Sequence, residues 1–267
     1  MIEFVKAHAC GNDFLIIEET VAQRKHAALA RKLCARNTSV GADGIEFLER
    51  RANGEFFLRL FNADGSEAEL SGNGTRCVAA WLAESEGLKH LTLGTHGGPR
   101  VCTVIEEAGP AYTIESEMGV PRVMARTLEL PGVGLVAGAM VNVGNPHFVI
   151  FTEAEDFSAH GFSWQELGAK ISTDPMFAHG TNVEFVKVLS QDTIAFRIYE
   201  RGCGPTTSSG TGTCASSAAA MVLRETARKL TAVAEGGAQT TVWPANAEVM
   251  QLTGPAEIIC KGQVWGL

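Results

Sequence analysis

With 267 residues, 45% of them hydrophobic and 19% charged, the chain has the composition of an ordinary soluble globular protein, one large domain or two small ones. A net charge of −8 and a pI near 5.4 argue against nucleic acid and an anionic membrane surface as partners, and no basic run makes a local exception. Seven cysteines, an odd number with no Cys-x-x-Cys pair, predict free thiols in a reducing cytoplasm and no zinc site.

In chain order, the first apolar stretch from Met1 to Glu19 carries charges and a glycine, so neither a signal peptide nor a membrane span is expected. Ala28, Leu29, Leu33 and Cys34 fall on one stripe and predict a helix from about Val21 to Arg36. Phe56 to Phe61, aromatic-rich and bounded by turn formers, predicts a strand. It leads to the glycine-rich turn Ser71-Gly72-Asn73-Gly74-Thr75 and then to an alanine-rich stretch, Arg76 to Glu84, that reads as a largely buried helix. A change of unit is expected near 115 to 120. The second half offers the same succession: a strand over Thr193 to Tyr199, the turn Ser209-Gly210-Thr211-Gly212-Thr213, and a buried helix from Cys214 to Leu223. A Gly-x-Gly-x-x-Gly after a strand, a Walker loop and His-Glu-x-x-His do not occur, so nucleotide and metallopeptidase chemistry has no support and no cofactor is expected.

The succession is part of an internal repeat. Gly11-Asn12-Asp13-Phe14 returns as Gly144-Asn145-Pro146-His147-Phe148, and Gly41-Ala42-Asp43-Gly44-Ile45-Glu46-Phe47 as Gly180-Thr181-Asn182-Val183-Glu184-Phe185. Phe61-Asn62 is echoed by Tyr199-Glu200. The step is 133 residues from Asn12 to Asn145, and 138 both from Asn62 to Glu200 and from Ser71 to Ser209. Glycine-rich words recur by accident in a chain with 29 glycines, but an ordered set at a near-constant step points to a duplicated unit with a pocket between the copies.

A glycine-rich turn that opens a helix presents unpaired N–H groups and the positive end of the helix dipole, a cradle for a carboxylate. Ser71 and Ser209 stand at the first position of these turns, with Gly72 and Asn73, and Gly210 and Thr211, inside them. Taken singly, each serine reads as a helix cap. Taken as a pair, they suit removal of a proton from one face of a carbon acid and its return to the other, with the helix N-termini stabilising the enolate-like state. Asn12, Asn62, Asn145, Asn182, Glu200 and Arg201 surround the turns. The asparagines are also ordinary turn formers, whereas Glu200 and Arg201 could hold the ammonium and carboxylate of an amino acid. His147 reads either as a structural histidine or as a proton shuttle.

These words resemble the diaminopimelate epimerase family of the proline racemase superfamily over nearly the whole chain. The likeness is carried by Gly11-Asn12-Asp13-Phe14, Phe61 to Glu69, Gly72-Asn73-Gly74-Thr75-Arg76-Cys77, Gly144-Asn145-Pro146-His147, Thr181 to Phe185, Glu200-Arg201-Gly202 and Gly210-Thr211-Gly212. It implies an α/β fold of two pseudo-symmetric units, each a curled sheet around a central helix. Residues 1–117 with a returning 258–267 would make one unit and 118–257 the other. It also implies a small amino-acid substrate gripped by Asn12, Asn62, Asn145, Asn182, Glu200 and Arg201, with His147 and Glu200 assisting proton transfer and a homodimer as one form of assembly. The chain departs from the family at Ser71 and Ser209, where the family carries its two catalytic cysteines. Three readings stay open: serines working with His147 and Glu200 as bases in an epimerase or a one-base isomerase, lyase or tautomerase; paired cysteine-to-serine changes in the expressed chain; or an amino-acid binder without the chemistry. Cys77 and Cys214 lie more than a turn into their helices, where a small buried residue is the default.

Overall fold

The computed structural model describes residues 1–22 and 25–265 and divides into two units, Met1–Glu117 with Thr253–Leu267, and Met118–Leu252. No helix among the described residues is long and apolar enough to cross a membrane.

The first unit opens with an antiparallel hairpin, β1 (Ile2–Ala9) and β2 (Asn12–Glu18). Cys10 and Gly11 turn it, with φ of +52° and +79°, the left-handed backbone that a two-residue hairpin turn requires. Two helices follow, α1 (Glu19–Ala22) and α2 (His26–Leu33), before β3 (Gly44–Arg50) runs parallel to β2. The single helix expected over Val21 to Arg36 is thus two pieces, and its Gln23 and Arg24 lie outside the described residues. α2 ends at Leu33, where the Leu33 and Cys34 carbonyls accept the Gly41 and Ala42 N–H groups, and beyond it the Arg36 guanidinium bonds Asp13 at 2.7 Å and Asp43 at 2.6 Å. β4 (Phe56–Asn62) is antiparallel to β3 and pairs briefly with β5 (Glu67–Ala68). After α3 (Gly72–Glu86), β6 (His90–Gly94) runs parallel to β4, and β7 (Arg100–Ala108) and β8 (Ala111–Glu117) continue as a meander.

The second unit adds one strand in front, β9 (Arg122–Leu130), and then repeats the same order. β10 (Gly134–Asn142) and β11 (Pro146–Phe151) form the hairpin, α4 (Trp164–Ser172) is the crossover helix, and β12 (Asn182–Ser190) runs parallel to β11. β13 (Thr193–Glu200) and β14 (Gly204–Thr206) precede α5 (Gly210–Leu223), after which β15 (Lys229–Ala234) lies parallel to β13 and β16 (Gly237–Val242) antiparallel to β15.

The last strand, β17 (Gln251–Val264), returns to the first unit. It pairs antiparallel with β1, from His8 opposite Glu257 to Ile2 opposite Val264, and also pairs with β8. Eight strands (β1, β2, β3, β4, β6, β7, β8 and β17) thereby close a ring around α3. By its contacts the chain passes from the second unit to the first between Leu252 and Thr253, two residues into β17.

Both central helices are built from small residues because strands approach them from many directions. Cys77, Val78, Ala79, Ala80 and Leu82 of α3 are fully buried, and α5 is buried from Gly210 to Met221 against β9, β10, β11, β12, β13, β15 and β16. A larger side chain has no space to enter. Ala218→Leu is therefore expected to destabilise the second unit by about 1–3 kcal/mol through overpacking, read as a lower urea midpoint in equilibrium unfolding.

Candidate active site

Each central helix begins inside its own unit, and a serine caps each. Ser71 is extended (φ −124°, ψ 123°) and its Oγ accepts the Gly74 N–H at 3.0 Å; Ser209 is extended (φ −144°, ψ 129°) and its Oγ accepts the Gly212 N–H at 3.2 Å. The capping reading of the two words is therefore correct, and it leaves chemistry available. A hydroxyl oxygen that accepts an N–H at the positive end of a helix carries developing negative charge more easily, while its own proton stays available to move.

Around the first cap, the structure joins two of the expected residues directly. The Asn73 side chain, 1% exposed, donates to Asn12 Oδ1 at 3.1 Å, and Asn12 donates to Asp43 Oδ2 at 2.8 Å. Arg76, fully buried, donates to Asn73 Oδ1 at 2.6 Å and to the Gly72 carbonyl at 3.1 Å, which fixes the turn from inside the helix. Beyond Asp43, Arg36 and Lys6 bracket Asp13. Burial opposes the Asp13 charge, but hydrogen bonds from Arg36 and Lys6 outweigh it and hold that carboxyl below its ordinary range. Asn62 ends β4, where it donates to Ser66 Oγ at 3.0 Å.

Around the second cap a longer chain of contacts forms. Ser209 Oγ lies 3.4 Å from Thr211 Oγ1, Asn145 donates to Thr211 Oγ1 at 3.3 Å, and His147 Nε2 meets Asn145 Oδ1 at 2.9 Å. The other ring nitrogen of His147, Nδ1, meets Glu184 Oε1 at 2.6 Å, with both side chains wholly buried. Burial pushes the Glu184 carboxyl up, and the imidazole pulls it partly back. Five residues thus run unbroken from a capping hydroxyl to a buried acid. Glu200, at the end of β13, accepts the Thr206 hydroxyl at 2.5 Å. Arg201 is exposed; its N–H donates to Asn182 Oδ1 at 2.9 Å and its guanidinium to the His179 carbonyl at 3.1 Å.

Sequence reasoning named Ser209, Thr211, Asn145 and His147 but not the acid that holds the imidazole, which is Glu184. It also passed over the matching acid of the first unit, Glu46. A signal was present: both repeated words place one glutamate inside an otherwise apolar strand. Both acids lie beneath the second glycine of a cap. A Cβ on Gly74 would stand 1.9 Å from Glu46 Oε1, and one on Gly212 would stand 3.0 Å from Glu184 Oε1, so the carboxylates help make those positions glycine. Glu46 is 1% exposed, its Oε1 is buried with no hydrogen-bond partner, and burial raises its pKa from 4.5 to about 8. The thiol of Cys77, the nearest cysteine after the first cap, is wholly buried and pushed upward by that burial, so it is no stand-in for Ser71.

Two units, each a helix wrapped by strands, define a fold class that solved proline racemase-like structures share. The structure of a probable proline racemase from Agrobacterium radiobacter superposes with a TM-score of 0.76 at 16% identity, covering 99% of this chain and 93% of that one. A hydroxyproline epimerase from Agrobacterium vitis gives 0.73 at 13% identity, with 98% and 90% covered. Within that class the chain belongs to the diaminopimelate epimerase family, whose sequence model, described as diaminopimelate epimerase, matches residues 4–124 and again 139–259. The diaminopimelate epimerase of Pelotomaculum thermopropionicum is 36% identical over 280 residues, spanning 98% of both chains.

The Glu46 carboxyl gives the first cap a measurable cost. Because its folded pKa of about 8 lies above the ordinary 4.5, the folded chain holds an extra proton between those values, and stability falls as pH rises across them. Glu46→Leu is expected to raise the melting temperature, and to raise it more at pH 8 than at pH 5, as read by calorimetry.

Proposed function

We propose that this chain is a cofactor-independent amino-acid epimerase that interconverts LL- and meso-diaminopimelate by removing the α-proton and returning one to the opposite face. The reading is supported by the family and by the names of its relatives. The observation that carries it is the buried acid beneath the second serine cap, Glu184 packed against Gly212 and hydrogen-bonded to His147, which sets a base beside a hydroxyl at a helix N-terminus. A serine hydroxyl is a far weaker acid than a thiol and needs such a partner if it is to exchange protons at neutral pH. The second cap has one in place.

In this reading Ser71 and Ser209 are the two proton-transferring residues, and the helix starts at Gly72 and Asn73, and at Gly210 and Thr211, receive the negative charge that develops at the substrate carboxylate. Asn12, Asn62, Asn145, Asn182, Glu200 and Arg201 hold the amino-acid end. Glu200 supplies a carboxylate for the ammonium and Arg201 a guanidinium for the carboxylate. The seven cysteines, none in a disulfide, support a reducing, cytoplasmic setting.

Incubation with single stereoisomers of diaminopimelate in deuterated water tests the reading. Exchange at the α-carbon with inversion is the expected result. Exchange with retention would reassign the chain to one-base chemistry, and binding without exchange at any pH would remove the epimerase altogether. In the same assay the double variant Ser71→Cys, Ser209→Cys is expected to exchange faster by about tenfold or more, because a thiol at a helix N-terminus ionises in the working pH range. No gain in that variant would mean that the two caps are not the proton-transferring positions.

A further inference from the structure

The two buried acids occupy the same place in their units but keep different company. In the β2–β3 ladder Ile16 stands opposite Glu46 and Phe14 opposite Gly44; in the β11–β12 ladder Val149 stands opposite Glu184 and His147 opposite Asn182. Phe14 is therefore the counterpart of His147. The first unit has the acid and lacks the imidazole.

What surrounds Glu46 is otherwise apolar or already engaged. Ile16 of β2 and Leu60 of β4 flank it across the sheet. The wholly buried Cys77 thiol of α3 feels Glu46 together with Arg76 of its own helix and Asp13 and Cys10 of the first hairpin, which are the ionisable groups of that neighbourhood. Arg76 is bonded to Asn73 and Gly72, Asp13 is paired with Arg36 and Lys6, and Cys77 is buried as a neutral thiol. No hydrogen bond reaches Glu46 Oε1. That oxygen packs against the α-carbon side of Gly74, whose N–H is the one held by Ser71 Oγ. Burying a carboxyl without a partner costs stability, and a chain retains such a group where its proton has a use.

We propose that Glu46 is the proton reservoir of the first cap, acting through the Ser71 hydroxyl and replacing the histidine-held acid that serves the second. The proposal rests on the epimerase reading. When the first cap removes the substrate proton, Ser71 Oγ takes it while the proton already on Oγ passes to the Glu46 carboxylate, and the C–H electron pair stays on the substrate as an enolate-like carbanion. When the first cap delivers, the Glu46 carboxylic acid returns its proton to Ser71 Oγ as the Ser71 proton moves to carbon. The contact between the two oxygens closes during the reaction, as catalytic hydrogen bonds commonly do. Glu46 is thus a positioning residue, since it reaches the substrate only through Ser71.

The test is the pH profile of α-carbon exchange and inversion for the full chain, with diaminopimelate as the probe, in Glu46→Gln and Glu46→Asp. In the parent protein kcat/KM should fall as pH rises through about 8, with the same limb in both directions because the two stations share one mobile proton. Glu46→Gln is expected to lose about 10²-fold in kcat/KM and that limb with it, while Glu46→Asp keeps the limb and part of the rate. Infrared difference spectra across pH 8 should show a protonated carboxyl band in the parent that Glu46→Gln lacks, a readout independent of turnover. Should Glu46→Gln fail to fold, which circular dichroism would reveal, the Glu46→Asp profile and the parent infrared titration decide. Exchange in the parent with an unaltered rate and limb in Glu46→Gln, or a parent without the band, overturns the role of Glu46 and leaves the epimerase reading standing. A parent that exchanges no α-proton overturns both.

Discussion

Everything in this molecule follows from starting a helix inside a sheet. A helix N-terminus leaves four N–H groups without partners in its own ladder, and water ordinarily receives them at a surface. α3 and α5 begin instead where their first residues are buried, so those groups must find oxygen from the protein or from a ligand. Ser71 and Ser209 each satisfy one. The second glycine of each cap, Gly74 and Gly212, leaves room for the carboxylate beneath it. A fold that must end its central helix this way is prepared to bind an anion before any specific side chain is chosen.

The same burial decides the electrostatics. Two carboxyls, Glu46 and Glu184, sit beneath the caps at the positive ends of the helices, in surroundings that would otherwise reject a charge. In the second unit the imidazole of His147 shares the burden. In the first unit Phe14 stands in that place and the acid is left to hold its proton. Duplication has thus preserved the helix, the cap and the acid while allowing the partner of the acid to differ. Two stations of unequal basicity are what a reaction needs when one must release a proton while the other accepts it.

The hydroxyls of Ser71 and Ser209 suit this arrangement. A thiol brings its own acidity to a helix N-terminus, whereas a hydroxyl must borrow a base. Both caps of this chain carry a hydroxyl, and a buried acid stands behind each, Glu184 packed against Gly212 and Glu46 against Gly74.

The periodic and repetitive features were legible in the sequence because they are local. The two strands, the two glycine-rich turns and the two alanine-rich helices are written in residue type and spacing. The repeated words set the pseudo-symmetry, since each unit has to satisfy the same cap with the same few residues. The end of α2 was not legible, because its last carbonyls are taken by the Gly41 and Ala42 N–H groups, which lie outside the helical pattern. Nor were the partners of the caps. That His147 is held by Glu184, that Asn73 bonds Asn12, and that Glu46 has an imidazole-free setting depend on the parallel ladders β2–β3 and β11–β12 and on where each central helix passes beneath them. The sequence by itself determined which residues are available and where the helices begin. Only the tertiary structure decided which acid stands behind which hydroxyl, because that pairing is made across strands joined by long crossovers, where spacing along the chain carries no information about distance in space.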